Sequence, residues 1–184
     1  MNPIFSVRDI TKFYGNQKGC EGVSFDLYPG EVLGIVGESG SGKSTLLNVI
    51  SGQLVPDQGD VLFDTRHAGM VSTTAMAEPE RRMLARTDWA YVHQNPRDGL
   101  RMAVSAGGNI GERLMNIGAR HYGDIRETAS GWMGRVELDT GRIDDRPSTF
   151  SGGMQHRLQI ARNLVPGPRL IFMDEPTGGF GRSI

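Results

Sequence analysis

The sequence predicts an α/β fold, and three observations carry that prediction. Segments near the N-terminus alternate apolar and polar residues, as half-buried strands do. A glycine-rich loop falls between an apolar run and a helical pattern. From Glu78 onward helix-period segments dominate, until a last apolar run near residue 170. A chain of 184 residues holds one such domain with a sizeable core, with room for a subdomain but hardly for a second complete domain.

Taken in order, "FSVRDI" (5–10) and "GVSFDLY" (22–28) read as strands, with "PGE" as a turn before the next run. "EVLGIV" (31–36) reads as a buried strand, "KSTLLNVISG" (43–52) as a helix and "GDVLFDT" (59–65) as another strand. "EPERRMLART", "SAGGNIGERLM" and "DIRETASGWMGRVEL" carry helical patterns, and between the first two "WAYVHQNP" is a short strand ended by Pro96. Residues 95–150 are the expected helical insertion. In "SGGMQHRLQIARNLV" (151–165), Leu158, Ile160, Ala161, Leu164 and Val165 mark one face of a helix that Pro166 and Pro168 end. "RLIFMDE" (169–175) reads as a buried strand with acids at its carboxyl end.

Composition narrows the function classes. Twenty basic against 21 acidic residues leave no overall positive field for nucleic acid, so any nucleotide is recognised locally. The single cysteine, Cys20, cannot form an internal disulfide and is expected to fill core space, which fits a reducing cytoplasm. His67, His93, His121 and His156 share no metal-ligand spacing, and the nine methionines are scattered as core filler. No apolar run reaches bilayer length, and the first residues lack the layout of a secretion signal, so any membrane role passes through a partner.

Three stretches carry chemistry. "GESGSGKS" (37–44) has the P-loop spacing and lies between a predicted strand and a predicted helix, the context that the motif requires. Its glycines let backbone N–H groups curl around phosphate oxygens, Lys43 neutralises phosphate charge, and the Ser44 hydroxyl is a Mg²⁺ ligand. "LIFMDE" places Asp174 to hold Mg²⁺ and Glu175 to polarise an attacking water. "FSGGMQ" (150–155) opens a helix; on local grounds Ser151 is an ordinary N-cap, although such a place also binds anions.

P-loop, glutamine after a strand, Ser-Gly-Gly and Asp-Glu, in that order from Ile4 to Gly179, resemble the ATP-binding cassette ATPases. The resemblance implies a P-loop NTPase (RecA-like) core, an N-terminal antiparallel β subdomain and an inserted α-helical subdomain, with the C-terminal part missing. It implies ATP and Mg²⁺ as ligands, with Gly37, Glu38, Ser39, Gly40, Ser41, Gly42, Lys43, Ser44 and Thr45 around the phosphates. Ser44, Gln94 and Asp174 would hold the metal, and Lys43, Gln94 and Glu175 would serve catalysis. It also implies a dimer in which Ser151, Gly152 and Gly153 of one subunit contact the γ-phosphate on the partner's P-loop, so the resemblance gives that stretch a binding role that its local pattern does not demand. Tyr14 falls where an aromatic stacks on adenine, beside Phe13. The signature departs from the family's commonest form, with Phe150 for leucine and Met154 for glutamine, so altered packing with retained binding is expected.

Within the family, "VHQNPRDGLRMAVSAGGNIGERLMNIGARHYGDIR" (92–126) and "RIDDRPSTFSGG" look like the ATP-binding subunits of bacterial carbon-phosphorus lyase systems for phosphonate breakdown. Oligopeptide importers share the nucleotide motifs, so phosphonate use ranks above peptide uptake. The expected partners are a second cassette subunit, identical or paralogous, and the soluble lyase core through the helical insertion; membrane permease subunits are the alternative. No nucleic acid and no direct membrane insertion are expected, and the location is cytoplasmic, with or without a peripheral membrane contact. Arg81, Arg82 and Arg86 read as a solvated face ahead of a docking surface. Where the family has a Leu-Asp turn, then a strand ending in a switch histidine, this sequence has Phe180 and Gly181 and then stops. One inserted nucleotide would convert Leu-Asp-Val-Arg to Phe-Gly-Arg-Ser, so a frameshifted or truncated product with poor stability and little hydrolysis is expected. An ATP hydrolase, a nucleotide-binding subunit without turnover and an inert remnant are the competing readings.

Overall fold

The computed structural model describes residues 2–174. The chain divides into two compact units, with the boundary between Arg81 and Arg82.

In the first unit, β1 (Phe5–Tyr14) and β2 (Gln17–Leu27) form a hairpin, β3 (Gln58–Thr65) pairs with the other edge of β1, and β4 (Gly69–Ser72) pairs with β3. The antiparallel sheet runs β2-β1-β3-β4. Phe5, Val7 and Ile10 of β1 are buried together with Val61 and Phe63 of β3. Strict alternation would separate Val7 from Ile10; a shift in register at Asp9, whose φ is 50°, returns Ile10 to the core. Helix α1 (Lys43–Ile50) packs on β1 and β2, burying Leu46, Val49 and Ile50. Cys20 is buried as expected, and burial pushes its thiol pKa up.

The buried strand expected at 31–36 is not formed. Neither sheet contains these residues; Val32 is 97% and Val36 91% exposed, and Leu33 and Ile35 are exposed as well. Composition alone made this run a strand. A strand apolar on both faces needs a hydrogen-bonded neighbour and a covering layer, and among the described residues nothing pairs with it. The P-loop follows directly, so the segment that leads into it is not held by a ladder.

In the second unit, β5 (Trp89–Val92) and β6 (Leu170–Met173) form a parallel pair, with Trp89 opposite Leu170 and Val92 opposite Met173. Trp89 and Phe172 meet edge to face, centroids 5.4 Å apart. Only Leu170 and Phe172 of β6 are buried; Ile171 and Met173 are exposed, so this expected buried strand is buried on one face. The helices α3 (Pro96–Gly99), α4 (Ala106–Asn116), α5 (Tyr122–Arg135) and α6 (Gly152–Leu164), with short turns at Thr140–Arg142 and Pro147–Thr149, surround a core of Ala106, Ile110, Met133, Phe150, Leu158 and Ala161. Ser105 and Ser151 cap α4 and α6 by accepting from the N–H groups of Gly108 and Met154. Helix α6 buries a more polar face than expected. Leu158 and Ala161 are core, Ile160, Leu164 and Val165 are half-buried, and Gln155, His156, Gln159 and Asn163 are inside. Helix α2 (Glu78–Thr87) spans the boundary between the units.

Candidate nucleotide site

The P-loop is shaped by its glycines. Gly40 and Gly42 have φ of 80° and 93°, backbone that side chains disfavour. Gly42 is the N-cap of α1, so the loop delivers its backbone to the positive end of that helix. A Cβ on Gly42 would overlap the carbonyl oxygen of Gly19 in β2, and one on Gly37 would sit 2.8 Å from the Ser41 Oγ. The Ser41 N–H donates to the Glu38 carbonyl at 3.2 Å. Lys43 curls back over the loop, its Nζ donating to the carbonyls of Gly37 at 2.9 Å and Glu38 at 2.6 Å. An ammonium held by two exposed carbonyls is readily given over to a phosphate, which offers it full negative charge. Glu38, Ser39, Gly40 and Ser44 are exposed beside it, and Thr45 turns its methyl group toward Gly19.

Tyr14 belongs to the same corner. Its ring is half exposed at 51%, not core, and its Cε2 lies 3.2 Å from where a Gly19 Cβ would stand. A side chain on Gly19 would crowd the Thr45 methyl group, the Lys12 carbonyl and the Tyr14 ring, while the Gly19 carbonyl in turn leaves no room for a side chain on Gly42. Phe13 is turned outward too, its N–H donating to Asp57 at 2.7 Å. An exposed aromatic face beside a phosphate-binding loop is the arrangement that an adenine needs.

In the second unit, Gln94 is exposed two residues past the end of β5, and Asp174 follows β6, its N–H donating to the Val92 carbonyl at 3.0 Å. Parallel pairing therefore puts both at one carboxyl edge. At the same edge, burial pushes the His93 imidazole pKa down, against the raising influence of the Asp98 and Asp174 carboxylates. In the second unit Gln94 and Asp174, and in the first unit Ser44, each carry a side-chain oxygen, the donor type that Mg²⁺ takes. Among the described residues no group of three or more His, Cys, Asp or Glu is gathered that could hold a metal ion. Glu175 lies outside the described residues.

Ser151, Gly152 and Gly153 are exposed at the start of α6, and the Ser151 Oγ caps the helix by accepting from Met154 N–H at 3.3 Å. The loop is braced from inside by Gln155, whose Nε2 donates to the carbonyls of Pro147 at 2.9 Å and Phe150 at 3.0 Å. Sequence reasoning does not reveal that brace, because a glutamine in a helix pattern carries no sign of facing inward. Phe150, in place of the usual leucine, is buried, and the Arg142 guanidinium lies 4.6 Å over its ring.

Residues 20–178 match the family described as ABC transporter. The chain belongs to that family. The phosphonates utilization ATP-binding protein PhnK of Escherichia coli strain K12 is 62% identical over 182 residues, covering 99% of this chain and 70% of that protein. A peptide import ATP-binding protein of Brucella ovis is 34% identical over 186 residues, 99% of this chain and 57% of its own length. Among solved structures, the dimeric bacterial ABC transporter cassette MJ0796 superposes with a TM-score of 0.85 at 30% identity, over 96% of this chain and 75% of that one. Its post-hydrolysis dimer with ADP and Pi gives 0.81 at 28% identity, over 95% and 78%. The expected ABC fold is thereby confirmed, and so is nucleotide binding as the family's business. Among the described residues no helix is long and apolar enough to cross a membrane.

Proposed function

We propose that this chain is an ATP-binding subunit of a bacterial phosphonate-utilisation system of the carbon-phosphorus lyase type. The observation that carries this reading is the 62% identity to PhnK across nearly the whole chain, against 34% for peptide-import relatives. In this reading Tyr14 stacks on adenine, and the N–H groups of residues 37–45 with Lys43 cradle the phosphates. Ser44, Gln94 and Asp174 would hold Mg²⁺, which would supply positive charge to offset that of the phosphates. Glu175 and Gln94 orient the attacking water. Ser151–Gly153 of a second cassette subunit, identical or paralogous, close over the γ-phosphate, as the dimeric likeness to MJ0796 supports. The helical segment 95–150 is the surface offered to the lyase core.

Binding without turnover is a second reading. The unladdered run at 31–36 favours it, since a P-loop led by an exposed segment is poorly fixed for chemistry. One experiment addresses both readings. The tagged chain is co-expressed with lyase-core subunits or with permease subunits, and the purified product is titrated with MgATP and assayed for phosphate release. Lyase subunits co-purifying and ATP binding abolished by Lys43→Ala are expected. Co-purification with permease alone, or ATP binding indifferent to Lys43→Ala, overturns the proposal.

A further inference from the structure

We propose that Arg142 is a positioning residue for the Ser151–Gly153 loop, acting through the two side chains that flank it, Phe150 and Met154. The inference rests on the reading of that loop as the surface closing over nucleotide. A single guanidinium reaches both sides of the exposed Ser-Gly-Gly. Its Cζ lies 4.6 Å over the Phe150 ring, and its Nη1 is 3.9 Å from the Met154 sulfur. Its Nη2 donates to the Thr149 carbonyl at 3.3 Å and hydroxyl at 3.1 Å. The remaining edge is fixed by Asp145, whose carboxylate accepts from Nε at 2.6 Å. With Asp145 holding one edge, the plane of the cation is set against the ring.

Gly152 and Gly153 have no side chains to anchor them, so the direction of their N–H groups is dictated by the residues on either side. Gln155 braces the loop from within; Arg142 clamps it from outside, at residues 149, 150 and 154. Phe150 and Met154, on either side of Ser-Gly-Gly, meet the same cation. A leucine at 150 would have no π-face to receive a guanidinium, so ring and arginine form one coupled device.

The test is amide hydrogen–deuterium exchange on the full chain with and without saturating MgATP. In the parent, ATP is expected to slow exchange in residues 37–45 and again in residues 150–155. Arg142→Ala is expected to keep the first effect and weaken the second about fivefold or more. Arg142→Lys, which keeps charge but loses the planar fork, restores only part of it, and in a Phe150→Leu background Arg142→Ala adds little further. Reading the ATP-dependent difference separates positioning from a general loss of stability, which would shift exchange equally in both states. Should Arg142→Ala not fold, Arg142→Lys and Phe150→Leu carry the comparison. Parental ATP-dependent slowing at 150–155 in these variants overturns the proposal, as do fully additive effects of the 142 and 150 substitutions. Slowing at 37–45 with none at 150–155 in the parent removes the Arg142 role while nucleotide binding stands. Slowing at 37–45 that survives Lys43→Ala removes the proposed function itself.

Discussion

Gly42 at the start of α1 lies directly against the backbone carbonyl of Gly19 in β2, so closely that a Cβ on Gly42 would overlap that oxygen. The P-loop is therefore seated on the antiparallel sheet by backbone contact. Gly42→Ala is expected to cost about 3 kcal/mol or more, from the positive φ together with the overlap, and to abolish ATP binding. Gly40→Ala is the comparison. Its φ is 80°, but nothing lies within 4 Å, so only about 1 kcal/mol of backbone strain is expected. Denaturant unfolding and nucleotide titration of the two variants decide the matter, and equal losses would show that φ, not the Gly19 contact, is what counts.

Lys43 has a different signature. Its ammonium bonds two exposed loop carbonyls, so Lys43→Ala leaves little behind that needs solvation. Stability is expected to change by less than about 0.5 kcal/mol, while ATP affinity falls roughly 10- to 100-fold, the worth of one charge-assisted phosphate contact. Calorimetric titration with MgATP and thermal unfolding check the two halves separately.

Much of this is legible in the sequence, for identifiable reasons. The P-loop is readable because its chemistry is local: glycines, lysine and serine at fixed offsets before a helix. Strands β1, β2, β3 and β5 and helices α1, α2, α4, α5 and α6 are readable from their periods. Residues 31–36 mislead because strand formation is settled by what lies alongside, and an apolar run does not name its neighbour. Strand β4 escapes because four residues of "GMVS" carry too little pattern. In α6, residue type alone puts Gln155 and Gln159 on the outside, yet both are buried. The Arg142 clamp joins residues in separate short turns and in α6, and a period read within one element does not relate residues of different elements.

The exposure of residues 31–36 makes a prediction that cuts against composition. Val32→Ser and Val36→Ser should change stability by less than about 0.5 kcal/mol in the isolated chain, since both side chains already face water. Val61→Ala in β3, where the side chain is 1% exposed, should cost about 2 kcal/mol. Urea midpoints measure all three, and a loss at Val32 or Val36 comparable to that at Val61 would mean that the run is covered in solution.

Acid should act on the corner that carries Tyr14. The Lys12 ammonium, 2.8 Å from Asp57, and then the Phe13 N–H hold the Asp57 carboxyl below its ordinary value of 3.8. A carboxyl with a lowered folded pKa contributes stability that is fully present above its unfolded pKa and is lost as pH falls through the folded one. The loss should therefore begin near the ordinary value and be complete only in stronger acid. Asp57→Asn should weaken the parent at neutral pH and flatten that part of its acid slope, because the amide cannot lose charge on acidification. Both side chains are solvent-accessible, so the effect should shrink in high salt. Urea midpoints followed from neutral pH into acid, for parent and variant, give the test: curves that stay parallel would place the acid sensitivity elsewhere. If instead they converge below the ordinary carboxylate range, the Lys12–Asp57 pair holds the end of β1, and with it the Tyr14 ring beside Gly19.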